Sequence, residues 1–218
     1  MSVLPVIILT TTVNTGSIIT TLYQINPQER KQTYLKSIRQ WLEKTNLPII
    51  VVENSGDNFE ELCEEKEKYK SRFEVISYVE SQVEEAKYLA NNESKGLCEL
   101  FSINYAVRCS KIINERIPYF VIKITGRYFI PELEDYLKTI DLSQFDAMRQ
   151  ANSNRCELVG SSSSNFPNIF KTLEFDGIGH VEDIYKIRIA GCEKVLVCKE
   201  FSIERTQRGG LPEFFYTI

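Results

Sequence analysis

The sequence predicts a mostly parallel α/β fold of three layers, and three observations carry that expectation. Continuous apolar, β-branched runs recur along the chain, segments with helical apolar spacing separate them, and the rhythm changes near residue 130. Strands covered on both faces read as uninterrupted apolar runs, and strands that alternate with helices pair in parallel.

"PVIILTTTV" is the first run and "LPIIVVENSG" the second. Between them "PQERKQTYLKSIRQWLEKT" places Tyr34, Leu35, Ile38, Trp41 and Leu42 at helical spacing, which makes a β-α-β unit. "FEELCEEKEKYKSRF" reads as a charged helix and "FEVISYVES" as a third strand. "KGLCELFSINYAVRCSKII" reads as a helix that turns Leu97, Leu100, Phe101, Tyr105 and Ile112 to the core, and "YFVIKITGRYFI" as a fourth strand. This order predicts a Rossmann-like open sheet over the first 130 residues or so.

The second half reads differently. "PELEDYLKTID" suggests a short helix, "FDAMRQ" and "CELVGSSSSNF" two strands of a mixed, antiparallel subregion, and "HVEDIYKIRIAG" a helix ending at Gly191. "EKVLVCKEFSIERTQRGG" closes as a strand that runs into a basic, glycine-terminated tail. Nothing resembles a linker, so residues 1–218 are expected to form one domain. There is no internal repeat, and the only low-complexity tract is the four serines at 161–164.

With 43% hydrophobic residues and only 10 Gly and 7 Pro, the composition is that of a folded chain. Lys and Arg total 26 against 30 acidic residues, a net charge of -4. That balance argues against nucleic-acid or membrane-surface binding and leaves room for a local basic pocket. The opening "MSVLPVIILTTTVNTGS" is too short in its apolar part, and too uncharged at its front, for a signal peptide. No other stretch is long enough to span a membrane, and six cysteines without a CxxC pair fit the reduced thiols of a cytoplasmic protein.

In open parallel sheets ligands bind beyond the carboxyl ends of the strands. Those ends carry Thr10, Thr11, Thr12 and Asn14, then Glu53, Asn54, Ser55 and Gly56, then Glu80 and Ser81, and finally Thr125, Gly126 and Arg127. Glu53 suits a hydrogen bond to a ribose or base edge, and equally the capping of its own turn. No GxGxxG, GxxxxGK[ST] or GxSxG occurs, which argues against dinucleotide oxidoreductases, P-loop enzymes and serine hydrolases. The lone His180 fits a structural role or, beside Glu182 and Asp183, a metal or active-site role. The Glu182–Asp183 pair is the best acid/base candidate, with complementing a helix dipole as its plainer use.

The order of parts resembles that of GT-A glycosyltransferases, in particular the large inverting family that uses nucleotide-diphosphate sugars, with relatives in bacterial surface-glycan clusters and large DNA viruses. "VIILTTTVN" stands for the nucleotide-binding strand, and "QERKQTYLKSIRQWL" for a helix that usually begins with an arginine. "IIVVENSG" matches the strand whose terminal carboxylate contacts the nucleoside, "SKGLCELFSINYAV" a helix opened by a basic residue and glycine, and "HVED" the Glu-Asp motif.

The resemblance implies a GT-A fold with a nucleotide-sugar half over 1–130 and an acceptor half over 131–218. It implies Asp183, with Glu182 beside it, as the base of an inverting hexosyl or deoxyhexosyl transfer. Thr10, Thr11, Glu53 and Lys95 would contact a UDP- or GDP-sugar, and Arg205 and Arg208 would close over its diphosphate. The acceptor would be a glycan, glycolipid or glycoprotein.

Where that family ends its central strand in Asp-x-Asp to hold a divalent ion, this chain reads Lys123-Ile-Thr-Gly-Arg127. On the preferred reading no cofactor is required. Strand alternation sends Lys123 and Arg127 to one face to neutralise the diphosphate, with Thr125 beside them and Gly126 letting the backbone approach the phosphates. The alternatives are a Mn2+ or Mg2+ ion held by Glu80, Asp176 or Glu182 with His180, loss of catalysis with binding retained, and a structural salt bridge for Arg127. A sugar nucleotidyltransferase would need a glycine-rich phosphate loop, and "TTTVNTGS" is a poor one.

Overall fold

The computed structural model describes residues 3–15, 24–89, 95–113, 118–173, 180–207 and 213–218. Four parallel strands form its centre: β1 (Leu4–Thr11), β2 (Ile49–Glu53), β3 (Phe73–Ser77) and β4 (Tyr119–Thr125). The sheet continues through β5 (Ala147–Arg149), β6 (Leu158–Ser162) and β7 (Val195–Val197) in the order β3-β2-β1-β4-β6-β5-β7. β6 runs antiparallel to both β4 and β5, and β7 is parallel to β5. The mixed second half therefore extends the first half's sheet.

Alternation along β1 sorts the layers. Ile7 and Leu9 pack with Ile38 and Trp41 of α1 (Pro27–Lys44), Leu133 of α4 (Leu133–Lys138), and Ile203 of a separate hairpin. That hairpin pairs β8 (Ser202–Gln207) with β9 (Phe214–Thr217). Val6 and Ile8 pack on the other face with α3 (Lys95–Cys109), α5 (Phe166–Ile169) and α6 (Val181–Ala190). α1 starts where expected for a physical reason: the Asn26 side chain accepts from the N–H groups of Gln28 and Glu29, and Pro27 follows. Its five expected core residues are all buried, and Trp41 satisfies its indole N–H on the Tyr128 carbonyl at 2.9 Å.

Several expectations need correction. The charged segment after β2 is a 3-10 turn, Glu60–Leu62, followed by the short α2 (Cys63–Lys68). Ile112 lies beyond the end of α3, although it still packs on the core. The strand expected through residue 130 stops at Thr125, where a turn at 126–127, closed by the Tyr128 N–H on the Thr125 carbonyl at 3.0 Å, carries the chain away. β6 stops at Ser162, since a turn at 163–165 leads into α5. The closing segment yields two strands in different sheets, so Arg205 sits on β8 and not in a tail. Among the described residues, no helix is long and apolar enough to cross a membrane.

Candidate functional site

The β1 and β2 ends hold each other. Glu53 is fully buried, and its carboxylate accepts from the N–H of Val13 (2.7 Å), Ser55 (2.8 Å) and Asp57 (2.9 Å) and from the Ser55 hydroxyl (2.6 Å). Burial pushes this carboxyl above the usual range, against the opposing pull of those donors. Thr11 donates to the Val52 carbonyl at 3.0 Å. Thr12 donates to Asn54, which in turn donates to Glu80 at 3.1 Å. Glu53 thus braces the rim of the sheet, the capping use of "ENSG".

The end of β4 departs most from expectation. Lys123 is 0% exposed, and its Nζ lies 2.8 Å from Glu99 Oε1 and 2.7 Å from the Cys156 carbonyl. Burial opposes the ammonium charge, but Glu99, Cys156 and Glu157 together raise the pKa. Thr10 and Tyr185 of α6 also direct hydroxyls at Glu99, at 3.4 and 3.5 Å.

Lys123 therefore faces α3 and α6, while Arg127 lines a cavity beside α1 on the other side of the sheet. Alternation does not carry from 123 to 127, because the strand has ended between them. The expected two-cation grip on one face is not formed. Gly126 is required by β1: a Cβ there would stand 2.5 Å from Thr11 Cγ2 and 2.8 Å from the Thr10 carbonyl oxygen. Arg127 makes no ion pair among the described residues, so the structural salt bridge weighed for it is not formed there either.

Glu99 was the residue to find. It is the only acid in α3, and a lysine inside an apolar strand requires a buried carboxylate. That requirement was the available signal.

α3 and α6 bring Gly96 and the "HVED" segment together. A Cβ at Gly96 would lie 2.4 Å from Val181 Cβ, so only glycine lets the two helix starts approach this closely. Both starts lie at the carboxyl end of the sheet. Asp183 is exposed on the first turn of α6, Glu182 is half-buried beside it, and His180 is the exposed N-cap residue. The charge of Glu182 reaches Cys156, whose thiol burial pushes well up. Thr125 is half-buried, with its N–H on the Glu157 carbonyl at 3.0 Å.

Arg205 lines the same cavity as Arg127, about 270 Å³ in volume. Asp176, Arg208 and the Lys95 side chain lie outside the described residues. Glu80 accepts from Asn54 and the Cys98 thiol, and His180 stands apart from it at the α6 start. Among the described residues no group of three or more His, Cys, Asp or Glu could hold a metal. The end of β4, Lys123 to Arg127, offers no carboxylate to a divalent ion.

No family model and no curated protein matches the chain. Among solved structures, residues 1–349 of S. aureus TarS superpose with a TM-score of 0.52 at 13% identity, over 89% of this chain and 58% of that one. The fold is of the Rossmann-like GT-A kind. A candidate nucleotide-diphospho-sugar transferase from Desulfovibrio desulfuricans G20 gives a TM-score of 0.49 at 17% identity, over 91% of this chain and 80% of that one. The sheet order and the TarS superposition bear out the fold expectation, and this chain spans a little over half of the TarS segment.

Proposed function

We propose that the chain is a glycosyltransferase that moves a sugar from a nucleotide-diphosphate donor, a UDP- or GDP-sugar, to a hydroxyl of a glycan, glycolipid or glycoprotein. The observation that carries the reading is the exposed Asp183 on the first turn of α6, set by the Gly96–Val181 contact at the carboxyl end of a GT-A sheet. A carboxylate there has room for an incoming hydroxyl, whereas the buried Glu53 and the half-buried Glu99 are engaged by their own chain.

In the proposed step Asp183 takes the acceptor proton. The freed oxygen forms a bond to the anomeric carbon, while the bond from that carbon to the diphosphate oxygen breaks and the leaving group keeps the electron pair. One displacement from the opposite face inverts the centre. Glu182 supports the local charge, residues 1–130 supply the donor half and 131–218 the acceptor half. Thr10, Thr11, Glu53 and Lys95 border the donor site, Glu53 by shaping its rim. Of the two cations near the end of β4, Arg127 meets the diphosphate and Lys123 does not, because Lys123 is held by Glu99. We retain the metal-independent reading, supported by a cation where a metal site would need carboxylates.

Asp183→Asn is expected to lower kcat by about 10²–10⁴-fold, the usual scale for a general base, with nucleotide affinity nearly unchanged. Unchanged turnover would remove Asp183 from this role.

A further inference from the structure

Asp183 stands on a helix whose start has no side-chain cap. His180, at the N-cap of α6, makes no side-chain hydrogen bond to the first turn, and α6 is only 10 residues long. A helix of that length does not hold its own shape and place in water, so tertiary contacts must fix where its first turn points. Val181, pressed on Gly96, sets how closely α6 approaches α3. Such a van der Waals contact fixes a distance and leaves the roll of the helix about its axis open.

A directional contact fixes the roll. Tyr185 is 2% exposed, and its hydroxyl donates to Glu99 Oε1 at 3.5 Å. A buried phenol needs such an acceptor. The Phe170 ring meets the Tyr185 ring edge-on, with centroids 5.8 Å apart, and steadies its plane. Successive helical residues turn by about 100°, so Tyr185 and Asp183 lie about 200° apart, on nearly opposite sides of α6. Anchoring Tyr185 inward therefore turns Asp183 outward, in keeping with the burial of Ile184 and Tyr185 and the exposure of Asp183.

Glu99 is itself held. Lys123 Nζ lies 2.8 Å from the same Oε1, and Thr10 directs its hydroxyl at Oε2 from 3.4 Å. Lys123 rests in turn on the Cys156 carbonyl at 2.7 Å. The carboxylate is thus fixed from β1 and β4, the two central strands, and presents α6 with an ionised acceptor, which binds a donor more strongly than a neutral one.

We propose that Glu99 is a positioning residue for sugar transfer: clamped by Lys123 and Thr10, it takes the Tyr185 hydroxyl and fixes the roll of α6 that aims Asp183 at the carboxyl end of the sheet. The inference rests on the reading of Asp183 as the base, and no bond is made or broken at Glu99.

The test follows release of UDP or GDP from UDP-glucose and GDP-mannose, with water as acceptor, by the intact chain, Tyr185→Phe, Asp183→Asn and the double variant. Tyr185→Phe keeps the ring and leaves Glu99 on Lys123. It is expected to lower kcat roughly tenfold, less than the ~10²-fold of a full 1 Å displacement, with the donor KM and the melting temperature nearly unchanged. Added to Asp183→Asn it is expected to cost nothing more, because a residue that acts through Asp183 has nothing left to aim. Lys123→Met/Glu99→Leu, which removes the acceptor together with its cation, is expected to match the Tyr185→Phe loss. Amide exchange needs no substrate, and Tyr185→Phe is expected to speed it several-fold in α6 while sparing β1 and β4.

Turnover by Tyr185→Phe equal to that of the intact chain, beside a slow Asp183→Asn, would overturn the inference. So would a loss that multiplies onto Asp183→Asn, or α6 exchange no faster than in the intact chain; where neither donor is turned over, the exchange decides. Unchanged turnover by Asp183→Asn would instead remove the base assignment, and the inference with it.

Discussion

Lys123 is a charge that the fold has taken out of water and matched. Its ammonium rests on Glu99 and a carbonyl, with the Tyr185 ring 5.9 Å away. Removing one partner of a buried pair leaves the other uncompensated, at a cost of about 3–5 kcal/mol, whereas replacing both with apolar groups is often nearly neutral. Lys123→Met is therefore expected to cost about that much in urea unfolding, with Lys123→Met/Glu99→Leu recovering most of it. A loss under about 1 kcal/mol for the single variant would mean that the pair does not hold the fold. Glu53 gives a pH signature. Burial raises its folded-state pKa above 4.5, so the stability it contributes is fully present below that value and lost as pH rises through the folded one. Glu53→Gln is expected to flatten the pH dependence of unfolding in that window, and an unaltered slope would contradict the raised pKa.

At the scale of elements, α3 and α6 are coupled through one glycine. Gly96→Ala would push its Cβ into Val181, whose backbone leads directly to Glu182 and Asp183. A displacement of about 1 Å in a reacting group can cost on the order of 10²-fold in rate, so the variant is expected to lose kcat while nucleotide affinity holds. Equal turnover would separate the α3–α6 contact from the chemistry.

The elements themselves were legible where local signals are strong. The apolar runs gave β1 to β4, and the helical spacing of Tyr34, Leu35, Ile38, Trp41 and Leu42 gave α1. The end of β4 was not legible, because the apolar run continues through Tyr128, Phe129 and Ile130, which are buried beyond the turn as a strand's residues would be. The β8–β9 hairpin was hidden because its apolar residues Ile203 and Phe215 are satisfied by a distant face of the sheet. Glu53 and Asp183 were visible as carboxylates after a strand and at a helix start. Only burial separates the one that braces a rim from the one exposed at it.

For the whole molecule, a single seven-stranded sheet joins the two halves, so the loops after β1, β2 and β4 and the start of α6 sit on one edge. A GT-A fold does not by itself specify an activity, since function resides in the site that a fold carries. On the proposed function, this edge binds a nucleotide-diphosphate sugar. The most direct test is a thermal-shift series with UDP-, GDP-, CMP- and dTDP-sugars, in EDTA and again with Mn2+. A donor at about 100 times its Kd stabilises the fold by about 2.7 kcal/mol, which for a chain of this length raises Tm by several degrees, at about 2–4 °C per kcal/mol. Such a rise is expected with at least one UDP- or GDP-sugar, present in EDTA and retained by Asp183→Asn. No rise with any sugar nucleotide at millimolar concentration would contradict donor binding at this edge, and a rise confined to Mn2+ would contradict its metal independence.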